Sequence, residues 1–501
     1  MSMERTERVR RGPIVASLLI AAFVALLSQT VLNVALPSMM EDLGISESVV
    51  QWLVTGYLLV NGILVPVSAY LIERFTTRQL FVWATALFAG GTMLSAVAPG
   101  FALLLAGRLI QAAGAGILMP LMTVVFLTIF PVEQRGKAMG MMGLAMIFAP
   151  AVGPTLSGWI VEHYSWRVLF YGMMPLTVLS LAFGAIFMKN VTRTSMPKLD
   201  MIGVVFSTIG FGGLLYGFSD AANDGWDNPR VLASLAAGAL FVLLFIWREL
   251  KAEKPILEFR VFRYSMFSLT TAINMIITMA LFSGMILLPI FLQTIRGFTP
   301  LEAGFLMLPG ALVMGIMSPI TGAIFDRIGA RWLAVLGLLI TTVTTYDLSH
   351  LTTETSYMHM LWIYTIRSFG MSFLMMPIQA AGLNQLPVRL NAHGSAMSQT
   401  LRNIAGAMGT ALLVTVFANA SESRAAHLLR SAGISPQDPA HAAEVQEIIR
   451  QATVYGIDYA FEVATWMTAA AMVLAFFIRK TKPHAEAPKV PDTSAAKPAR
   501  T

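Results

Sequence analysis

Fourteen apolar runs, each long enough to cross a bilayer as a helix, fill most of this chain. Their cores lie at 14–36, 49–72, 79–98, 101–128, 137–160, 167–188, 201–219, 231–247, 266–292, 302–325, 332–351, 358–380, 395–418 and 459–478. A spanning helix needs roughly 20 predominantly apolar residues, because the lipid interior offers backbone polar groups no outside partner. Of the 501 residues 56% are apolar and 12% are charged, whereas a soluble domain carries about a quarter charged residues. The reading is an all-α polytopic membrane protein, which excludes a cytosolic enzyme, a secreted domain and a disordered chain. With no Cys in the chain, disulfides and thiolate metal sites are excluded, and neither a metal nor another cofactor is expected.

The basic residues set the expected orientation. With the N-terminus inside, 25 of the 34 Lys and Arg fall in inner segments, 6 in outer loops and 3 within spans, as the positive-inside rule requires. The net charge of +7 therefore reports on topology and gives no sign of nucleic-acid binding. Both termini are expected in the cytoplasm, with residues 1–12 as a short lead-in and 481–501 as a disordered tail. The one long outer connection, 419–458, reads as a polar loop with one or two short helices, and a lid or docking role is the sharper alternative.

The chain carries an internal duplication. Ala69-x-x-x-Glu73-Arg74 recurs as Gly322-x-x-x-Asp326-Arg327, the fourth span's Arg108 and Pro120 recur as Arg367 and Pro377, and Gly136-Lys-Ala-Met-Gly140 recurs as Gly394-Ser-Ala-Met-Ser398. The shifts are 253, 259, 257 and 258 residues. Such a shift equals eight spans, so two six-span bundles, 13–190 and 266–480, are expected to flank two extra helices and their linkers at 191–265. Internal repeats of this kind are a hallmark of transporters.

Polar residues inside the spans are the candidate pathway. Arg108, Arg367 and Arg402 are the only basic residues well inside spans, and an intramembrane Arg should face a cavity or a partner. Gln399, Arg402, Asn403 and Gly406 share one helix face, and Gln29 with Asn33 and Gln51 with Thr55 are i, i+4 pairs of the same kind. For the amides, packing hydrogen bonds between helices serve as well as a cavity lining. The turns with Glu73, Arg74 and Arg78, and with Asp326, Arg327 and Arg331, could clasp helix ends through charge-assisted hydrogen bonds, as a gate would, or could be simple anchors. Pro150, Gly153, Pro154 and Gly158 remove backbone hydrogen bonds and bulk from the fifth span, which suits either a hinge or close helix packing.

These segments resemble the major facilitator superfamily, and within it the fourteen-span drug:proton antiporter family (EmrB/QacA type). Ala69 to Arg78 and Gly322 to Arg331 are similar to its G-x-L-a-D-R-x-G-R-[RK] loop. Gly107-Arg108-Leu-Ile-Gln111-Ala-Ala-Gly114 is similar to R-x-x-Q-G-x-G, and Gly153-Pro154-Thr-Leu-Ser157-Gly158 to the antiporter signature G-P-x-x-G-G. Trp166-Arg167-Val-Leu-Phe170 to Pro175 is similar to W-R-x-x-F-x-x-N-x-P. The resemblance covers residues 13–480 and implies a major facilitator fold, an antiporter role for the fifth-span motif, and export of drugs coupled to protons. One departure bears on mechanism. Where many members carry an Asp in the first span this chain has Ser28, as in the lincosamide-resistance branch.

No acid falls near the middle of a span. Asp220 and Glu462, toward outer span ends, are the expected proton carriers if they face inward, with Arg108 tuning them. Three arginines and no central carboxylate favour neutral, zwitterionic or anionic amphiphiles over dications. No P-loop, HExxH site or Ser nucleophile elbow is present, so no enzyme is expected. The expected protein is a secondary multidrug exporter in a bacterial cell membrane. Its partners would be small amphiphilic drugs, protons and the lipid bilayer. A monomer is expected, with an accessory periplasmic adaptor left open. A dedicated exporter of one metabolite or lipid-like molecule, or a non-transporting sensor or scaffold, are the alternatives.

Overall fold

The structure is a computed structural model that describes residues 11–192, 194–195, 199–253, 255–434 and 441–479. Residues 1–10 and the expected tail 481–501 lie outside this range. The long helices in chain order are α1 (Arg11–Leu43), α2 (Trp52–Arg74), α3 (Thr77–Ala96), α4 (Phe101–Ile129), α5 (Arg135–His163), α6 (Arg167–Phe187), α7 (Met201–Asp224) and α8 (Pro229–Lys251). They continue with α9 (Ser265–Ile290), α10 (Pro300–Ile328), α11 (Ala330–Asp347), α12 (Tyr357–Ser372), α13 (Met375–Leu383), α14 (Asn391–Ala432) and α15 (Ala442–Ala475). The described residues contain no strand.

Thirteen spans among the described residues are long and apolar enough to cross a membrane. The remaining expected span, 358–380, is broken into α12 and α13 at Phe373 and Leu374. Pro377 has no N–H to give the Phe373 carbonyl, so the ladder lapses one turn before it. There the Phe373 and Leu374 N–H groups bond back only three residues, to Gly370 and Met371. The expected loop 419–458 is corrected as well. Residues up to Ala432 continue α14, and α15 already begins at Ala442. At 1.5 Å per residue α14 is about 63 Å long, so the pair projects beyond the bilayer as a helical hairpin. Gly433, at φ 69°, ends α14 in the left-handed conformation that glycine tolerates.

Local caps start several helices where the chain turns. Thr76 and Gln79 close a capping box on α3, and Thr299 and Glu302 close one on α10 ahead of its Pro300. Helices α1 to α6 pack together through α1–α5, α1–α6, α2–α4, α3–α4 and α3–α6. Helices α9 to α15 pack through α9–α14, α9–α15, α10–α12, α11–α12, α11–α15 and α14–α15. The two sets meet along α5–α10 and α2–α14, the two pairs that the duplication relates. Lipid chains are as apolar as Leu, so close approach of small residues drives such contacts. A Cβ on Gly136 would stand 2.4 Å from the Gly322 carbonyl oxygen, and one on Gly140 would stand 2.4 Å from that of Ser318. Helices α7 and α8 form a hairpin whose α7 lies on both α2 and α14, so the extra pair covers one of the two seams.

Candidate functional site

The three intramembrane arginines have different surroundings. Arg108 on α4 is 1% exposed. Its Nη1 donates to Ser28 Oγ at 2.8 Å and to Gln111 Oε1 at 2.5 Å, and the guanidinium lies 4.3 Å from the Tyr57 ring centre. Longer contacts reach the carbonyls of Ser28 and Leu53, both at 3.4 Å. Gln111 passes the chain on, its Nε2 donating to Thr92 Oγ1 at 2.8 Å. A buried cation without a carboxylate is costly; here neutral acceptors on α1, α2 and α4 and an aromatic face offset that cost.

Arg367 on α12 repeats the arrangement in the other half. It donates to the Ala280 carbonyl at 2.6 Å, to Ser283 Oγ at 3.2 Å and to Thr345 Oγ1 at 3.1 Å. Gly284 makes room for it, since a Cβ there would stand 2.4 Å from Nη1. Ser28 and Ser283 are 255 residues apart, within the range of the repeat. Each arginine thus reaches a serine on the first helix of its own set.

Arg402 on α14 differs. It is half-buried, and its one hydrogen-bond partner among the described residues is Gln399, one turn back on the same helix. Gln399 Nε2 donates to Asn403 Oδ1 at 3.0 Å, and Asn403 Nδ2 donates across the seam to Asn61 Oδ1 on α2 at 3.5 Å. A small cavity between α9, α13 and α14 is lined by Arg402, Ser398, Thr271, Asn274, Gln379 and two methionines. The predicted face Gln399–Arg402–Asn403 therefore forms one polar row, with Gly406 packed against Phe282 just beyond it. Asn61 escaped the sequence reading, although it is a lone amide in an otherwise apolar part of the second span.

Other expected pathway residues scatter. Gln29 and Gln51 are half-buried and Asn33 is exposed. Asp220 is half-buried near the end of α7. Glu462 is a correction: it is exposed on the stripe of α15 that carries the exposed Tyr455, Tyr459, Trp466 and Val473, at spacings of three, four and seven residues. That stripe faces away from the bundle. Sequence reasoning also missed Glu249 on α8, which is 1% exposed and accepts the Leu257 N–H at 3.1 Å.

The two acidic turns lie at the same end of the bundle, and each reaches the opposite set. Asp326 accepts the N–H groups of Gly136 and Lys137 at the start of α5, at 2.7 and 2.9 Å. Glu73 pairs with His393 at the start of α14, at 3.0 Å. Beside them Arg135 donates to Asn384 at 3.1 Å, so the halves are closed on each other at this end. Arg78 donates to the Ala185 carbonyl at 2.5 Å, tying α3 to α6 within one half. Arg327 and Arg331 are exposed. On α5, Gly153 abuts Thr30 and Ser157 donates to the Val31 carbonyl at 2.6 Å, so the Pro150–Gly158 segment seats α5 against α1. At the far end Asp42 accepts from Arg167 at 2.7 Å and from Trp166 at 3.0 Å, which accounts for the Trp-Arg pair.

Residues 18–410 match the Major Facilitator Superfamily. The chain is 47% identical to the uncharacterized MFS-type transporter YhcA of Bacillus subtilis over 93% of its own length and 92% of that protein's. It is 42% identical to the lincomycin resistance protein LmrB of the same organism, over 94% and 96%. Among solved structures, the human organic anion transporter MFSD10 superposes with a TM-score of 0.64 at 14% identity, over 93% of this chain and 100% of that one; that likeness bears on the fold alone. The match is to transporters and not to enzymes. This chain is a multi-pass membrane protein that belongs to the Major Facilitator Superfamily, and within it the chain is similar to drug-resistance transporters.

Proposed function

We propose that this transporter exports amphiphilic drugs across the bacterial plasma membrane by proton-coupled alternating access, as a monomer with both termini in the cytoplasm. The observation that carries the reading is the polar seam Arg402–Gln399–Asn403–Asn61, which joins the two halves about halfway along a span. Arg402 lies eleven residues into α14, about 16 Å from its start, where the hydrocarbon core is about 30 Å thick. Relatives named for lincomycin resistance and for multidrug export support the drug class.

The acidic turns serve as the gate in this reading. Glu73–His393 and Asp326–Gly136 would separate when that end opens, and the asymmetry of the basic residues assigns the end to the cytoplasm. Asp220 is the proton carrier, since Glu462 turns away from the bundle. Inverted vesicles given a drug panel with and without a pH gradient test all of this. Several unrelated drugs should accumulate only with the gradient, and Asp220→Asn should remove the dependence. Movement of one compound alone would point to a dedicated exporter, and movement of none to a sensor or scaffold.

A further inference from the structure

We infer that Arg402 forms a subsite for one oxyanion, a carboxylate, sulfonate or phosphate carried by an amphiphilic ligand. The inference rests on the export reading only for what the ligand does afterwards, since binding alone tests it. In sequence the three arginines are alike, and all three sit inside spans. In the structure Arg108 and Arg367 are used up: each donates to serine and carbonyl oxygens on neighbouring helices of its own half. A guanidinium has five N–H donors in a planar fork, and Arg402 commits only one partner, the neutral amide of Gln399.

No Asp or Glu among the described residues is within ion-pair distance of Arg402. It nevertheless sits well inside α14, at the edge of a cavity whose other polar walls are Ser398, Thr271, Asn274 and Gln379. A fixed cation at that depth, with open donors and no counter-charge, is unfavourable until an anion arrives. Bidentate pairing with a planar or tetrahedral oxyanion is the geometry a guanidinium satisfies best.

The seam gives binding a route to the rest of the molecule. An oxyanion on Arg402 competes with the Gln399 carbonyl oxygen for the guanidinium. Gln399 is the residue that holds Asn403 toward Asn61 of the other half. Occupancy of the subsite thus bears directly on a contact between the halves.

The test uses two probes that differ by a single group, 8-anilinonaphthalene-1-sulfonate and its uncharged parent N-phenyl-1-naphthylamine. Binding of each to the full chain in phosphatidylcholine nanodiscs is measured against empty nanodiscs. The wild type should bind the sulfonate at least about tenfold more tightly than the parent. Arg402→Gln should reduce that ratio to about one, and Arg402→Lys should restore part of it, which also shows that the site is folded. Unchanged selectivity in Arg402→Gln overturns the inference. Displacement of the sulfonate probe by millimolar inorganic sulfate as effective as by the probe itself would make this a free-ion site, and displacement by phosphatidylglycerol discs alone would make it a lipid site; either result overturns the drug-like ligand. A wild type that binds the sulfonate selectively but moves no drug in vesicles would sink the export reading and leave the subsite standing.

Discussion

Glu73 and His393, 320 residues apart in sequence, join the two halves of the transporter through a contact of 3.0 Å between Oε1 and Nε2. The other ring nitrogen, Nδ1, accepts the backbone N–H of Glu258 at 3.3 Å. One tautomer satisfies both contacts, the neutral ring with its proton on Nε2. The imidazole therefore binds an acidic turn of one half and the linker behind α8 to the start of α14. In the other copy of the repeat the acid, Asp326, takes backbone N–H groups instead.

Removing either partner should loosen this end of the bundle. The chain has no Cys of its own, so one placed at the buried Ser395 reports access cleanly. In Glu73→Gln and His393→Ala backgrounds, labelling by a membrane-impermeant thiol reagent in inverted vesicles should quicken several-fold. The double variant should add little to either single one, because both act on the same contact. Additive effects would mean that the two residues stabilise the closed end separately.

The α5–α10 seam should be less forgiving. A Cβ on Gly322 would stand 2.1 Å from the Gly136 carbonyl oxygen, which is backbone and cannot swing aside. Gly322→Val should force the helices apart, reducing drug efflux by tenfold or more while the protein still inserts at normal levels. Gly172, with nothing within 4 Å of such a Cβ, is the matched control, and Gly172→Val should retain efflux.

Much of the fold was legible because lipid imposes a simple rule, and apolar length alone located the spans. Two features escaped that rule. The break at Phe373 and Leu374 is as apolar as its surroundings, so hydropathy passes over it and only Pro377 hints at it. Polarity marked 419–458 as outside the membrane but cannot tell a loop from helices that continue into water. At the site, Arg108, Arg367 and Arg402 looked equivalent because their acceptors come from other helices, and those distances exist only after packing. Glu462 could have been read correctly, since the tyrosines, tryptophan and valine on its stripe mark a face turned to lipid. Nothing local in the sequence pairs His393 with Glu73.

Asp200 and Arg248 offer a pH signature where the accessory hairpin meets its linker. Nε and Nη2 of Arg248 donate to the two carboxylate oxygens at 2.5 and 2.7 Å, and this holds Asp200 below its ordinary value of 3.8. A depressed acid contributes stability that is complete above its unfolded value and is lost as pH falls through the folded one. The melting temperature of the purified wild type should therefore exceed that of Asp200→Asn by a constant margin from about pH 7 to about pH 5. The margin should close only below pH 3.8. A margin that already shrinks near neutral pH would assign the effect to another group.

Ser28 is the position at which the surroundings of Arg108 can be rewritten with the fewest atoms. Its hydroxyl accepts from Arg108 at 2.8 Å and is itself 1% exposed. Ser28→Ala leaves a buried guanidinium short of one acceptor, and hydrogen bonds to charged groups contribute about 1.5–3 kcal/mol. A loss of about 2 kcal/mol in detergent unfolding is expected. Ser28→Asp does the opposite. It sets a carboxylate against Arg108, cancels a buried positive charge and introduces an acid that can titrate within the span. Efflux of a monovalent cationic dye should rise relative to a neutral drug, and the rate should acquire a pH dependence that the wild type lacks at this position. If Ser28→Asp folds and transports neutral drugs normally but gains neither property, then Arg108 and Ser28 serve only to hold α1, α2 and α4 together, and charge selection must be made at Arg402.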